Sequence, residues 1–247
     1  MNATSRVIYG FHAVVSRLRQ HAPTVLEIYI DGARNDARSQ DMLKLAAKAG
    51  VRVLTMDTRR LDGLTGNARH QGVAAKVVPP PQRHSLDDLL DELTVPPLLL
   101  VLDGIQDPHN LGACLRVADA FGVHAVIAPK DRAVGITPVV SKVASGAAEV
   151  VPYLSVTNLA RSLRELKERG IWIIGTDETA PDSLYQAKLA GPLAWVFGAE
   201  GEGMRRLTRE HCDSLVRIPM VGTVASLNVS VASGVCLGET VRQRGLV

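Results

Sequence analysis

Long apolar runs are missing from this chain. No stretch approaches the ~18–20 unbroken apolar residues of a membrane-spanning helix, although 46% of the 247 residues are hydrophobic. The N-terminal MNATSR is polar and lacks the apolar core of a secretory signal peptide. We therefore expect a globular cytoplasmic protein with no membrane segment, long enough for one large domain or two modest ones.

Disulfide and metal-binding patterns are also missing. The three cysteines, Cys114, Cys212 and Cys236, are far apart, contain no C-x-x-C pair and are odd in number, which argues against a disulfide framework. The seven histidines show no H-x-x-x-H spacing. We expect buried free thiols and no metal, which removes metal-dependent hydrolysis from the leading functions.

Aromatic residues are few, at 4%, so stacking of bases on aromatic rings is not expected to be the main means of binding nucleic acid. The net charge of +3 is unevenly distributed: residues 1–78 contain twelve Lys or Arg and six Asp or Glu, whereas residues 98–247 contain fifteen of each. A basic part attached to a neutral one is typical of an RNA-binding attachment, and it is equally compatible with a merely soluble surface.

Residues 1–78 are predicted to form a small α/β domain. Strand patterns at residues 25–31, 51–56 and 73–78 surround an amphipathic helix at residues 36–49. Basic side chains fall mainly in or beside its loops, where RNA phosphates could be contacted: Arg34, Arg38, Arg59, Arg60, Arg69 and His70. A proline-bounded linker, residues 79–97, follows, with a possible short helix at residues 85–93.

Residues 98–247 alternate between strand and helix patterns, which predicts an α/β domain. The strands LLLVLDGI, HAVIAP, EVVPYLSV, IWIIGT and LAWVF show little polar alternation, as in a parallel sheet covered on both faces. In such sheets ligands bind beyond the carboxyl ends of the strands.

A glycine-rich segment, GAEGEG at residues 198–203, lies between the strand LAWVF and a helical pattern at residues 204–211. This order is typical of nucleotide-binding turns, but Glu200 and Glu202 would repel a pyrophosphate, and the glycine spacing matches no dinucleotide or P-loop motif. The loop therefore better suits a cationic ligand bearing hydroxyl groups, such as S-adenosylmethionine, and disfavours a nicotinamide-dependent oxidoreductase.

A second loop precedes the C-terminal helix. A strand at residues 214–219 ends at a proline, residues 220–227 form a loop, and helical spacing resumes from Asn228. Ser226 or Asn228 could cap this helix, or leave its first amides for a ligand. Small residues on the helix, such as Ser233 and Gly234, would let another backbone approach closely.

Three segments together resemble the motifs of the SpoU/TrmH family of RNA ribose 2′-O-methyltransferases. They are DPHNLGACLRVADAFG (residues 107–122), VFGAEGEGMRRL (residues 196–207) and IPMVGTVASLNVSVASGVCL (residues 218–237). The resemblance implies S-adenosylmethionine as cofactor and a guanosine ribose of 23S ribosomal RNA as substrate. It also implies a homodimer, a deep trefoil knot that no periodicity would predict, and a ribosomal-protein-like RNA-binding domain at the N-terminus.

The resemblance carries roles onto individual residues. It places Asn110, Arg116, Glu200, Ser226 and Asn228 at the catalytic positions, and Gly198, Ile218 and Leu227 against the cofactor. Without it, Asn110 would be a helix N-cap, Arg116 a surface ion pair and Glu200 a solvated loop charge. Two other hypotheses stay open: the protein methylates transfer RNA, or it is a catalytically silent RNA-binding or ribosome-assembly factor.

Because an arginine stays protonated above pH ~12, Arg116 is a poor general base. We expect it to hold the phosphate next to the ribose by two parallel hydrogen bonds, while that phosphate or water takes the hydroxyl proton.

Overall fold

The computed structural model describes residues 5–78, 85–199, 201–224 and 226–246. The chain forms two compact units. Unit 1 comprises residues 1–82 together with residues 145–150, and unit 2 comprises residues 83–144 and 151–247. Within the described residues no helix has the length and apolarity needed to cross a membrane.

Unit 1 is an α/β layer built on a four-stranded mixed sheet. Its elements are β1 (Arg6–Tyr9), α1 (Phe11–His21), β2 (Val25–Asp31), α2 (Ala37–Lys48), β3 (Arg52–Met56), α3 (Thr58–Thr65) and β4 (Val73–Val77). The strand order is β1-β4-β2-β3, with β4 antiparallel to both of its neighbours and β2 parallel to β3. The ends of β1, β2 and β3 and the start of β4 therefore lie along one edge of the sheet, and the loops there belong to one surface.

The loop between α3 and β4 is held by a buried histidine. His70 is only 7% exposed, its Nε2 lies 2.9 Å from Asp62 Oδ1, and its Nδ1 accepts a hydrogen bond from Gly72 N at 3.0 Å. Since both ring nitrogens are engaged, His70 positions the loop, and its expected phosphate contact is wrong.

The segment 145–150 contributes a buried acid to unit 1. Glu149 lies 2.7 Å from Arg6 Nη2 and 2.9 Å from Arg17 Nη1, and Arg17 also donates to Val78 O at 2.7 Å. Arg17 is fully buried, so this pairing provides the charge partner that a guanidinium needs inside a protein.

Unit 2 is a seven-stranded parallel sheet with helices. Its elements are α4 (Leu86–Glu92), β5 (Leu98–Asp103), α5 (Pro108–Ala120), β6 (Ala125–Pro129), α6 (Pro138–Val143), β7 (Tyr153–Val156), α7 (Leu159–Glu168), β8 (Trp172–Thr176), β9 (Asp182–Ser183), β10 (Leu193–Gly198), α8 (Arg206–Glu210), β11 (Ser214–Arg217) and α9 (Val229–Gln243). The strand order is β7-β6-β5-β10-β8-β11-β9, and every pair is parallel.

The parallel sheet predicted from the unbroken apolar strands is confirmed. All six residues of β5 are buried, and Trp195 and Phe197 of β10 are among the largest fully buried side chains. One strand differs from expectation: of EVVPYLSV only Tyr153–Val156 is a strand, and residues 147–149 form a 3-10 turn instead.

The short helix expected after the proline-rich segment forms as α4. Ser85 caps it by accepting a hydrogen bond from Asp88 N at 3.1 Å, and Leu89 is fully buried in the core of unit 2. Residues 79–84 of the predicted linker lie outside the described residues.

Gly234 and Gly238 of α9 lie against side chains at the C-terminal end of α5, but not at the close backbone approach that the small residues of this helix predicted. A Cβ at Gly234 would lie 3.7 Å from Val117, and one at Gly238 would lie 3.6 Å from the ring of Phe121. Both distances are ordinary van der Waals contacts, so an alanine would fit at either position without moving the helices.

The three cysteines are free, as expected. Cys114 and Cys236 are buried and Cys212 is partly exposed. Burial, reinforced by neighbouring Asp213, raises the pKa of the Cys212 thiol to about 12. Burial also raises the pKa of the Cys236 thiol. A thiol with a raised pKa is a poor nucleophile, so Cys212 and Cys236 lack the character of a catalytic cysteine.

Candidate active site

Each of the three motif loops comes after the carboxyl end of a parallel strand in unit 2. β5 and β10 are paired in register, with Gly198 opposite Asp103, so the first two motifs leave the sheet side by side. β11 lies on the far side of β8 from β10 and leads into the third loop. The carboxyl edge of the sheet, where ligands are expected, therefore carries all three motifs.

Asn110 projects from the first turn of α5. Asp107 caps this helix by accepting a hydrogen bond from His109 N at 2.8 Å, and Pro108 occupies the first helical position, where its missing N–H is no loss. The alternative interpretation of Asn110 as the N-cap is therefore wrong. Asn110 is the third helical residue, half-buried, and its side chain is free for another role.

Asn228 caps α9 and contacts Asn110. Its Oδ1 accepts hydrogen bonds from Ser230 N at 2.9 Å and Ser230 Oγ at 2.6 Å, so its amide NH2 points elsewhere. That NH2 donates to Asn110 Oδ1 at 2.8 Å. The hydrogen bond joins the first and third motifs across 118 residues of sequence.

The polarity of this contact fixes the orientation of Asn110. Because Asn110 uses its carbonyl oxygen to accept from Asn228, its own NH2 group is the donor left over. Among the described residues no hydrogen bond to that NH2 is found. The pair thus presents a fixed amide donor beside the loops of the site.

The glycine loop between β10 and α8 closes on itself. Ala199 and Gly203 exchange backbone hydrogen bonds of 3.1 and 2.8 Å, with Gly201 and Gly203 at φ of 79° and 69°. A Cβ at Gly198 would lie 2.0 Å from the carbonyl carbon of Gly203, so only glycine fits there. Glu200, predicted to be catalytic, lies outside the described residues.

A buried carboxylate paired with a partly exposed arginine, which the sequence did not predict, anchors this loop. Asp103, at the end of β5, is 1% exposed and accepts from Arg205 Nε at 2.6 Å and from Arg205 N at 2.9 Å. The available signal was an aspartate closing the otherwise apolar run LLLVLD, because a carboxylate in such a strand needs a partner. The pair ties the end of β5, just before the first motif, to the second motif.

We predict that Asp103→Asn lowers stability by about 1–3 kcal/mol, since one of the two hydrogen bonds to Arg205 is lost in a buried position. The glycine loop should then loosen and the affinity for S-adenosylmethionine should fall. Thermal unfolding and calorimetric titration measure the two effects. Glu210→Gln is the matched control, because it removes one charge from the exposed Arg206–Glu210 pair on α8, and unchanged cofactor affinity in Asp103→Asn would contradict the prediction.

The other predicted residues lie on exposed or half-buried positions. Arg116 is exposed on α5 and makes no ion pair with any described residue. It is six residues beyond Asn110, about 120° around a helix. Ser226 is exposed, two residues before Asn228, whereas Ile218 and Leu227 are half-buried at the two ends of the third loop. Arg116 is thus not joined to Asn110 and Asn228 by any hydrogen bond in this part of the structure.

Exposed apolar side chains characterise the third loop. Met220, Val221 and Val224 are all exposed, and Val221 is fully so. A loop that offers apolar side chains to solvent beside a strand edge is suited to covering the flat faces of a bound ligand.

Both units match known families. Residues 97–238 match the SpoU rRNA Methylase family, and residues 7–83 match the family described as RNA 2′-O ribose methyltransferase substrate binding. The two matches fall on the parts of the chain that carry the motifs and the basic loops, respectively.

Similar proteins cover nearly the whole chain. A 23S rRNA (guanosine-2′-O-)-methyltransferase, RlmB, from Ralstonia nicotianae is 63% identical over 98% of both chains. The crystal structure of an RNA 2′-O ribose methyltransferase shares 27% identity with a TM-score of 0.77, covering 99% of this chain and 90% of that one. The SpoU methyltransferase AviRb from Streptomyces viridochromogenes, solved with AdoMet, has the same fold, with 23% identity, a TM-score of 0.78 and coverage of 98% and 92%. This chain belongs to the SpoU rRNA methylase family.

Proposed function

We propose that this protein transfers a methyl group from S-adenosylmethionine to the 2′-hydroxyl of a guanosine in 23S ribosomal RNA. The observation that carries the proposal is the Asn110–Asn228 hydrogen bond, which joins two motifs into one site beside the glycine loop. The family match and the 63% identical relative, whose name states this activity, support the choice of RNA and of nucleoside.

The residues around the three loops fit S-adenosylmethionine. The backbone of Gly198 is fixed by the closed glycine loop, and the half-buried Ile218 and Leu227 offer apolar contact and backbone amides for an adenine. We assign these three residues to cofactor binding. When bound, the cofactor supplies an activated methyl group on a sulfonium, and this chemistry needs no metal.

The RNA-facing side chains orient the ribose hydroxyl, and the RNA phosphate or water takes its proton. The NH2 group of Asn110, oriented by Asn228, donates to a ribose oxygen and aims the hydroxyl. Arg116 holds the neighbouring phosphate, and the hydroxyl proton passes to that phosphate or to water. By family resemblance Glu200 closes the loop or orients the substrate, and Ser226 helps to place the ribose.

We predict that Arg116→Lys lowers kcat at least tenfold, because a lysine keeps the charge but loses the two parallel hydrogen bonds to a phosphate. Single-turnover methyl transfer to 23S ribosomal RNA measures the effect, and calorimetry should show unchanged cofactor affinity. Arg161→Lys on α7, where Arg161 makes an exposed ion pair with Glu165, is the control. Near-normal turnover of Arg116→Lys would contradict the hypothesis that Arg116 holds the phosphate by two parallel hydrogen bonds.

The whole chain is proposed to work as a homodimeric cytoplasmic enzyme, with residues 1–78 binding RNA, residues 79–97 linking, and residues 98–247 catalysing. The homodimer is proposed from the family resemblance. The trefoil knot is proposed on the family resemblance alone; near the C-terminus, Arg244 donates to Pro96 O, Pro97 O and Gly191 O.

The decisive experiment combines transfer with mapping. Purified protein with labelled S-adenosylmethionine should methylate 23S ribosomal RNA and leave transfer RNA unlabelled. Mass-spectrometric mapping in a strain lacking the gene should show one missing guanosine 2′-O-methyl group. Labelling of transfer RNA alone would favour the transfer RNA reading, and cofactor binding without transfer to any RNA would favour a silent assembly factor.

A further inference from the structure

A cavity of about 560 Å³ opens in unit 1 at the sheet edge where β1 and β2 end and β4 begins. This volume lies within the ~300–1,000 Å³ range of small-ligand sites. Its lining comes from two loops and from the first residues of α1 and α2, and it includes Phe11, Arg34, Asp36, Arg38, Arg69 and Gln71. The lining is therefore rich in guanidinium groups and contains one carboxylate.

That carboxylate is already engaged. Asp36 caps α2 by accepting from Ser39 N at 3.1 Å, and it forms an ion pair with Arg34. Arg38 and Arg69 are exposed and form no ion pair with any described residue. The cavity thus has two uncompensated positive charges, and it attracts an anion.

The planar guanidinium group of Arg34 is held in a fixed position. Its guanidinium lies 5.3 Å from the centroid of the Phe11 ring, and its Nη2 donates to Gln71 O at 2.7 Å. The ring itself is only 5% exposed, whereas 37% of the Arg34 side chain remains exposed. A fixed, partly exposed guanidinium plane can stack on a nucleobase, and such stacking needs no exposed aromatic ring.

The loop carrying Arg69 and Gln71 is strained and clamped. Gln71 has φ of 55° and Asn67 has φ of 61°, a left-handed conformation that is uncommon outside glycine. The buried His70 between Arg69 and Gln71 is bonded on both ring nitrogens. Strain of this kind persists where the surroundings over-determine it, and it concentrates at binding sites.

We propose that this cavity binds one unpaired nucleotide of the RNA substrate, separate from the nucleotide that is methylated. Arg38 and Arg69 contact its phosphates, and its base stacks on Arg34. The nucleotide is unpaired because both faces of a base inside a duplex are stacked on its neighbours, so only an unpaired base has a face free for a guanidinium plane. The proposal rests on the proposed function, since it takes RNA as the substrate.

The test compares two double variants of the full-length protein. Arg38→Ala/Arg69→Ala removes the two free charges of the cavity. The control, Arg19→Ala/Arg52→Ala, removes two exposed arginines from the last turn of α1 and the start of β3, at the opposite edge of the sheet. Both variants lose the same net charge, so a non-specific electrostatic effect would be equal in the two.

Only the cavity variant should bind 23S ribosomal RNA more weakly, by about tenfold, with its salt dependence reduced by about 1.4 in the log–log slope. Its KM for RNA should rise while kcat at saturating RNA and cofactor affinity stay unchanged. Arg34→Lys, which keeps the charge but loses the stacking plane, should raise KM without changing the slope. Photo-crosslinking of 4-thiouridine-substituted RNA should label peptides containing residues 34–38 or 69–71.

Binding is measured directly, so the result does not depend on methyl transfer. Equal RNA affinity in the two double variants would overturn the cavity proposal, even in an active enzyme. Cavity-dependent binding in a protein that methylates no RNA would instead overturn the proposed function alone. An unchanged melting temperature in each variant confirms that the differences do not come from unfolding.

Discussion

Gly198→Ala is expected to abolish cofactor binding and to lower methyl transfer at least a hundredfold. The added Cβ would lie 2.0 Å from Gly203 C and 2.2 Å from Met204 N, far inside van der Waals contact with backbone atoms that cannot rotate away. The glycine loop must therefore shift as a unit, and a displacement of about 1 Å costs on the order of a hundredfold in rate. Calorimetric titration with S-adenosylmethionine and single-turnover transfer measure the two effects.

Gly191→Ala is the matched control for this experiment. Gly191 precedes the same strand, β10, at its other end, and a Cβ there would meet nothing within 4 Å. The control should retain activity, whereas Gly198→Ala should also lose about 1–3 kcal/mol of stability through overpacking. If Gly198→Ala bound the cofactor normally, the loop would not be the cofactor site and our assignment of Gly198 would be wrong.

Asn228→Asp is expected to leave the protein folded and to lower kcat about a hundredfold. An aspartate still accepts from Ser230 N, so the cap of α9 is kept. It cannot donate to Asn110 Oδ1, so Asn110 must turn its amide over and present its oxygen to the substrate. In this variant the substrate meets the oxygen of Asn110 in place of its NH2 group. The ribose then loses the hydrogen-bond donor that orients it, and kcat falls for that reason.

Two further variants separate capping from catalysis. Asn228→Ala removes both the cap and the contact, and should lose about 0.5–2 kcal/mol of stability as well as activity. Asn158→Ala removes an equivalent cap from α7, where Asn158 accepts from Arg161 N at 3.0 Å, and should lose stability alone. Full activity in Asn228→Asp would show that the Asn110–Asn228 contact is not part of the reaction.

The elements that the sequence predicted well are those with a local signal. β2 begins and ends where its pattern predicted, and α2 differs from the predicted 36–49 only because its capping residues, Asp36 and Ala49, lie just outside it. Apolar runs, capping side chains and glycines act over a few residues, so their effect can be read from the sequence itself.

Elements without such a signal were missed. Helix α1 was not predicted, and it buries Arg17, a charged residue that interrupts any apolar stripe. Its stabilising partner, Glu149, is far along the chain, in a segment expected to be a strand. Helix α3 buries only Leu61, too little for a helical period to be recognised.

For this protein the sequence by itself determined the parallel strands, the helix caps and the three motifs that indicate the family. Only the tertiary structure decided which side chains meet: Asn110 with Asn228, Asp103 with Arg205, and Arg34 of the unit 1 cavity with the Phe11 ring. The first two contacts span 118 and 102 residues. They arise because parallel strands bring their carboxyl ends to one edge, and no local propensity specifies which loops then face each other.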